Sequence, residues 1–430
     1  LARAEIKTPT PKSNLHRVFS LGCVTLPVLL LVVGCVWFYV TLLQPRFFAA
    51  TETLQVTQPV CGMWQAMSGS IFGPKLPRIY ELAAIAENDV WGIGSVTTVH
   101  HWNGSEWTEV SLPQSSSGSD IDLYGITALP GGEIWLAGSY QDTHGADQTL
   151  TYRLANKQWV LERSPNVGQA SELRSVSGTS ANDAWAVGTY TKGDQSYALA
   201  LHWDGNQWSQ IAVSNECPGD QYFADVLAIA TNDVWAVGEC FQGTSTGSFT
   251  EDSRTEVQHW DGLNWKVVPS ANHKPGKFVN SNSLDAISGT SSNDIWATGN
   301  YWESDGRGYH TQPMLQHWDG KAWSEVQFTH PGTNTTSNFS DVVAFSSDNV
   351  WAVGFYARSW LRPFGVHWDG KGWRELPIPN PLAEGYYTTM SALGPNNIWA
   401  TGFGFDSEDG AYHGLLARFE GSSCPAPSNP

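Results

Sequence analysis

The residues of this 430-residue chain that could do chemistry fall into several kinds. GTSTG, Gly243 to Gly247, has the G-x-S-x-G spacing that can present a serine nucleophile, but it lies in a Ser/Thr/Gly-rich run without the strand-to-helix context that motif needs. It reads as coincidence. His101, His202, His259, His317 and His367 each stand just before a Trp-Asn-Gly or Trp-Asp-Gly. Histidine ligates zinc and titrates near neutrality, yet one histidine per repeat gives no zinc spacing, so packing and hydrogen bonding are the expected roles. DSEDG, Asp406 to Gly410, gathers carboxylate oxygens of the kind Ca²⁺ takes, with solvated loop charge as the alternative. No other cofactor is expected, and no catalytic residue or metal ligand is assigned.

Two segments combine aromatic and cationic side chains. NYWESDGRGYH supplies Tyr301, Trp302, Arg307 and Tyr309; FYARSWLRPF supplies Tyr356, Arg358, Trp360 and Arg362. Aromatic rings offer rigid apolar faces to sugar rings or protein side chains, and arginine is over-represented among binding hot spots, so these eight are the expected ligand contacts. The competing reading is that the segments fold back and bury the aromatics in a satellite core.

The elements that must position them repeat. Trp91, Trp135, Trp185, Trp235, Trp296, Trp351 and Trp399 each open a unit of propeller-blade size, as in NDVWAVG at Asn232 to Gly238. Each unit reads as four strands, A to D, with Asn-Gly or Asp-Gly between C and D where a two-residue hairpin turn is expected. The aspartate before the tryptophan, as in Asp183 and Asp233, is expected to cap the A-B turn, and the glycine to allow close backbone approach. Units that cannot each bury two faces must stack, and seven close into a ring with tryptophans between neighbours. From the strand-D tryptophan to the next strand-B tryptophan the gaps are 28, 26, 27, 31, 28 and 26 residues, whereas the B-C segments vary widely. Ligand contacts are therefore expected on the face carrying the B-C and D-A loops. The last unit stops at Gly421 without a strand D, while Trp64 lies 27 residues before Trp91, so the segment around Trp64 is expected to complete the last blade.

Cys61 and Cys424 flank that closure and Cys217 and Cys240 flank strands A and B of blade four, giving two expected disulfides and an oxidising compartment. Residues 21–43 are uncharged and long enough to span a bilayer as one helix, and Lys7, Lys12 and Arg17 before it place the N-terminus in the cytoplasm. VVGC, ending at Cys35, resembles a lipoprotein box, but the apolar residues that follow favour the spanning helix. The expected organisation is a cytoplasmic segment 1–20 that could be truncated, a transmembrane helix 21–43, a stalk 44–60, an all-β seven-bladed propeller 61–424 and a tail 425–430. With 23 basic and 41 acidic residues the chain is a poor partner for nucleic acid.

The order WxxV, LxxI, NDVWAVG, HWDGxxW over about residues 61–424 resembles the WAVG/HWDG propeller repeats of bacterial surface proteins and is similar to kelch and tectonin units. VWGIGSVTTVHHWNGSEWTEV is the most tectonin-like, and that resemblance implies carbohydrate binding. The long B-C segments depart from tectonins, so no sugar-contacting residue is carried over. The expected function is a membrane-anchored, non-catalytic recognition or adhesion module for an extracellular glycan or protein. A structural surface scaffold and a propeller-type glycoside hydrolase or lyase are the alternatives.

Overall fold

The structure, a computed structural model, describes residues 62–67, 78–94, 98–113, 120–242, 252–273, 281–304, 309–328, 336–357 and 359–421. The expected helix 21–43, the stalk, the tail, Cys61, Cys424 and GTSTG lie outside these residues. Among the described residues no helix is long and apolar enough to cross a membrane.

Seven four-stranded antiparallel sheets follow one another along the chain. The A strands are innermost and meet in ring order, the seventh, Glu384–Gly394, packing beside the first, Glu81–Ala86. Blade seven takes its D strand from the other end of the propeller: Gly62–Ala66 pairs with Ala411–Gly421, Trp64 opposite Phe419. This is the closure expected from the position of Trp64, and it leaves no blade with a missing strand to invite edge pairing.

Tryptophans fill the spaces between blades in a fixed way. The strand-B ring of a blade packs on the strand-C and strand-D aromatics of the next, as Trp185 does on Trp260 and Trp265 at 5.1 and 5.4 Å, and Trp235 on Trp318 and Trp323 at 5.0 and 6.0 Å, while Trp91 meets only the strand-D ring, Trp159, at 5.5 Å, blade two having Leu154 in strand C. At the seam, Trp351 meets Phe419 at 4.5 Å and Trp64 at 6.1 Å. A buried indole contributes 150–250 Å² of contact and its edge-to-face pairs add roughly 0.5–1.5 kcal/mol.

The aspartate ahead of each tryptophan does more than cap a turn. Asp233 Oδ1 accepts Trp235 Nε1 at 2.9 Å and His259 Nε2 at 2.8 Å, while its other oxygen accepts Ser292 of the next blade. Asp183 likewise accepts His202 at 2.8 Å and Thr231 of blade four at 2.8 Å. Burial would raise the pKa of Asp183, but bonds from Thr179, His202 and Thr231 outweigh it and hold the carboxyl below its ordinary value. The histidine ring lies on the tryptophan, 4.3 Å away for His259 and Trp235. Where the carboxylate changes, the contact is kept, by the same histidine or by an arginine. Blade six has Asn349 with His367, which burial pushes down to about 4 and so keeps neutral. Blade two pairs Glu133 with Arg153, and blade seven Asn397 with Arg418; both guanidinium groups lie over the blade's own tryptophan.

Blade two has the expected two-residue C-D turn, Asn156 and Lys157, both at positive φ, but in blades one and three to six the connection differs. Trp203 pairs with Trp208, leaving four loop residues in which Asp204 Oδ1 accepts the backbone N–H of Asn206 and Gln207 at 2.8 and 2.9 Å and Gly205 takes φ 92°. The aspartate side chain stands in for a strand residue's acceptor, so the loop can be longer than the Asp-Gly dipeptide alone demands.

In strand B the glycine of WAVG faces a β-bulge in strand A. A Cβ on Gly188 would lie 2.1 Å from Glu172 O, and one on Gly238 2.1 Å from Tyr222 O. The register slips there by one residue, between Leu173 and Ser175 and between Phe223 and Asp225. The bulge leaves two consecutive residues off the core side, since Leu173 and Val176 on either side of Arg174 and Ser175 are both buried in the interblade core.

Candidate functional site

The bulges shape the axial mouth on the side of the B-C and D-A loops. Three successive columns of strand A face the axis there. The outer column carries Arg78, Asp122, Glu172, Tyr222, Ser283, Asn338 and Tyr386 in blades one to seven; the bulge column carries Tyr80, Tyr124, Arg174, Ala224, Asp285, Ser340 and Thr388. Below them Glu81, Asp225 and Asp341 share one level, each paired two residues past the strand-B tryptophan.

That lowest level is a hydrogen-bonded floor. Asp225 accepts Ser175 Oγ of blade three at 2.5 Å and the N–H of Ile287 in blade five at 2.9 Å. Asp341 accepts Thr389 Oγ1 at 3.0 Å and Met390 N–H at 2.6 Å, both of blade seven. Burial first, then Asp341 and Asp225, pushes the Glu81 carboxyl well above its ordinary value, and burial pushes Asp341 up to about 7.

Above the floor, blades two to five are acidic. Tyr222 donates its hydroxyl to Glu239, the strand-B residue opposite it, and Asn300 Nδ2 reaches Asp285 at 3.0 Å. Arg174 binds Glu172 through Nε at 2.9 Å and lies 5.2 Å from the Tyr124 ring. Burial pushes Glu239 up to about 7 and Asp285 up to about 6, and it raises Tyr222 as well, with Glu239 adding to the effect. Burial and the neighbouring Asp147, Asp120 and Glu172 raise Asp122. The Cys217–Cys240 disulfide, expected from the sequence, ties the D-A loop to strand B immediately beside Glu239.

Blades six, seven and one form an aromatic side. Tyr386 packs on Phe403 at 4.5 Å and Phe355 at 5.4 Å; Phe403 meets Tyr80 at 5.3 Å and Tyr412 at 6.3 Å. Burial pushes the Tyr386 phenol well above its ordinary value.

The eight residues singled out in the sequence separate. Tyr301 stacks on His273 at 3.9 Å and packs against the core between blades four and five; Tyr356 packs against the core of blades five and six. Trp302 is half-buried, whereas Trp360 is 54% exposed and Arg362, opposite Tyr356, is exposed. Tyr309 opens strand C opposite Ser304, and Arg307 and Arg358 lie outside the described residues. Asp406 and Asp409 come together with His413 at the B-C turn of blade seven, His413 Nε2 donating to Asp409 at 2.8 Å.

The mouth was missed because its columns carry no letter common to every blade. Aligning the A strands, SELRSV with QYFADV and SNFSDV, would have exposed the positions on either side of the core Leu or Phe. On the opposite face, a cleft of about 440 Å³ between blades four and five is lined by Asp233, Trp235, His259, Ser292 and Trp318, whose roles are those of the framework just described.

No family model matches the chain, and no curated protein matches its sequence. Among solved structures it is similar to YCF48 bound to D1 peptide, at 13% identity and TM-score 0.50, covering 85% of this chain and 100% of that one. It is similar also to the GH74 xyloglucanase from Xanthomonas campestris, at 12% identity and TM-score 0.50, over 82% of this chain and 55% of that chain. The WD40 propeller domain of Doa1 matches at 10% identity and TM-score 0.47, over 84% of this chain and 96% of that chain. At such identities the likeness is one of fold, and the fold is a seven-bladed β-propeller.

Proposed function

We propose that the chain is a membrane-anchored recognition or adhesion module that binds an extracytoplasmic glycan or protein, without catalysis, at the axial mouth. One observation carries this: the groups that hold the fold recur from blade to blade, while the outer mouth column changes from Arg78 to Asp122, Glu172, Tyr222, Ser283, Asn338 and Tyr386. A framework position repeats because every blade has the same neighbour; a position that faces a ligand need not. The anchor is the apolar segment 21–43, and the Cys217–Cys240 disulfide supports placing the propeller in an oxidising compartment. The full chain applied to a glycan array, and separately to immobilised cell-surface proteins, should give saturable binding that Tyr222→Ala weakens. Saturable binding unchanged by Tyr222→Ala and by Tyr386→Ala would put the site elsewhere, and no binding in either format would reject recognition.

A second reading rests on Glu239 and Asp285. A carboxyl near 7 beside one near 6 can serve as proton donor and carboxylate in glycoside hydrolysis. Release of nitrophenol from a panel of aryl glycosides by the wild type, lost in Glu239→Gln, would establish hydrolysis; no release above the buffer blank excludes it for those glycosides.

A further inference from the structure

We infer that the Cys217–Cys240 disulfide is a thiol-exchange site, opened in the folded protein by a neutral or cationic dithiol that attacks Cys217 and expels Cys240. The site is independent of what the mouth binds. The two sulfurs of the bridge sit in unlike surroundings. Cys217 is half-buried in the D-A loop between exposed Glu216 and Pro218, whereas Cys240, in strand B, is 0% exposed. A thiolate arriving from solvent therefore reaches Cys217 and not Cys240. Strand C supplies a cation to the other sulfur: Arg254, paired across the sheet with Cys240, donates its Nε–H to Cys240 Sγ at 3.3 Å.

A disulfide exchanges faster when the sulfur expelled makes a more stable thiolate. Burial alone would make Cys240 a poor leaving group, and the guanidinium on its sulfur opposes that. Glu256, two residues on in strand C, accepts the side-chain amides of Gln221 and Gln258, each at 2.9 Å, and burial raises its pKa, so it counters the guanidinium less than an ionised carboxylate would. In the exchange the attacking thiolate bonds to Cys217 Sγ, the Cys217–Cys240 bond breaks, and its electron pair leaves on Cys240 Sγ beside Arg254. The second thiolate of the dithiol then displaces Cys217, so the dithiol is oxidised to its own disulfide and the chain gains two thiols. Glu216 flanks the point of attack and the chain carries a net charge of −18, which disfavours anionic thiols. Three bonds to the loop remain when the bridge opens. Gln195 Nε2 donates to Gly219 O at 2.6 Å, Asp220 Oδ1 accepts Ser196 N–H at 2.8 Å, and Gln258 Oε1 accepts Ser214 N–H at 2.9 Å. The blades thus stay folded, and what is lost is the tie between the loop and the strand that carries Glu239.

Cysteamine, a cationic monothiol, marks the sulfur that is attacked. Incubated with the full chain in native buffer, then quenched with N-ethylmaleimide and mapped by peptide mass spectrometry, it should be found on Cys217, with Cys240 alkylated. An adduct on Cys240, or on both alike, would overturn the assignment. At equal thiolate concentration glutathione, an anionic thiol, should react about threefold more slowly, and the reverse order would contradict the preference for neutral or cationic thiols. Dithiothreitol should open the bridge without denaturant; opening confined to urea concentrations that unfold the chain would sink the native route. Arg254→Gln should slow that opening about three- to tenfold, through loss of the charge-assisted bond to the departing sulfur, and Arg254→Lys, which keeps the charge, should slow it less. Opening at the wild-type rate in Arg254→Gln, or equal slowing in both variants, would show that the guanidinium charge does not assist the departure of Cys240 and would overturn the proposal.

Discussion

The face carrying the A-B and C-D turns and the face carrying the mouth are built from the same strands on opposite terms. On the turn face Asp89, Asp183, Asp233 and Asp294 each hold a histidine, Asn349 in blade six does the same, and in blade two Glu133 lies against Arg153 instead. At the mouth the corresponding columns vary in charge, size and hydrogen-bonding capacity. Repetition marks what closes the ring, and its loss marks where the ring is free to differ. Charge follows the same division, since bonds from its neighbours hold the turn-face Asp183 below the ordinary carboxyl value while burial raises Glu239, Asp285 and Asp341 at the mouth above it.

The sharpest way to break this comparison is to damage the repeated side. Trp235, 2% exposed between blades four and five, should cost about 3–5 kcal/mol when replaced by alanine, read as a lower midpoint in urea. Asp233→Asn should cost about 1 kcal/mol or less, because an amide oxygen still accepts Trp235 Nε1 and His259 Nε2, as Asn349 does for Trp351 and His367. Equal losses for the two variants would mean that the carboxylate charge, and not the acceptor geometry, holds the blade.

How far the sequence reached follows from the same division. Trp64, the seven strand-B tryptophans and the strand-C histidines are visible because each must solve one packing problem repeatedly. The mouth is hidden by the bulge: read with a period of two, Arg174 and Ser175 fall on opposite faces, whereas the inserted residue turns both off the core. Only register reveals that Glu81, Asp225 and Asp341 meet at one level. The loop aromatics were legible as types but not as roles, since nothing in NYWESDGRGYH says that Tyr301 will stack on His273.

The mouth has its own brace. The Cys217–Cys240 disulfide closes a separation of 23 residues, and on chain-entropy grounds replacing both cysteines by alanine should cost about 3 kcal/mol. Ligand affinity should fall with it, because the bridge sits beside Glu239. A stability loss without any loss of affinity would show that the D-A loop holds its place unaided.

Acidity separates the two faces further. Glu239 and Asp341 at about 7 and Asp285 at about 6 lie above their unfolded values, so the fold favours their neutral forms. Their contribution is complete below the unfolded carboxyl range and is lost as pH rises through 6 to 7. Asp183 is shifted the other way, and its contribution is lost on acidification below the ordinary carboxyl range. Unfolding midpoints should therefore be higher at pH 5.5 than at pH 8, and Glu239→Gln should flatten that slope. A midpoint that rises toward pH 8 would contradict the buried placement of these acids.

The smallest effect belongs to the exposed rim. Trp360, 54% exposed, should cost less than about 0.5 kcal/mol as alanine, whereas Tyr301→Ala should cost more because it strips a ring from His273 and from the core of blades four and five. The two residues look alike in sequence, aromatic and next to arginine-bearing loops, so their difference tests burial alone. If Trp360→Ala also weakens binding on the array, the ligand reaches from the mouth outward over blade six. Unchanged binding would confine the ligand to the axis. A melting temperature that falls as far for Trp360→Ala as for Tyr301→Ala would place the Trp360 ring in packing that its exposure denies.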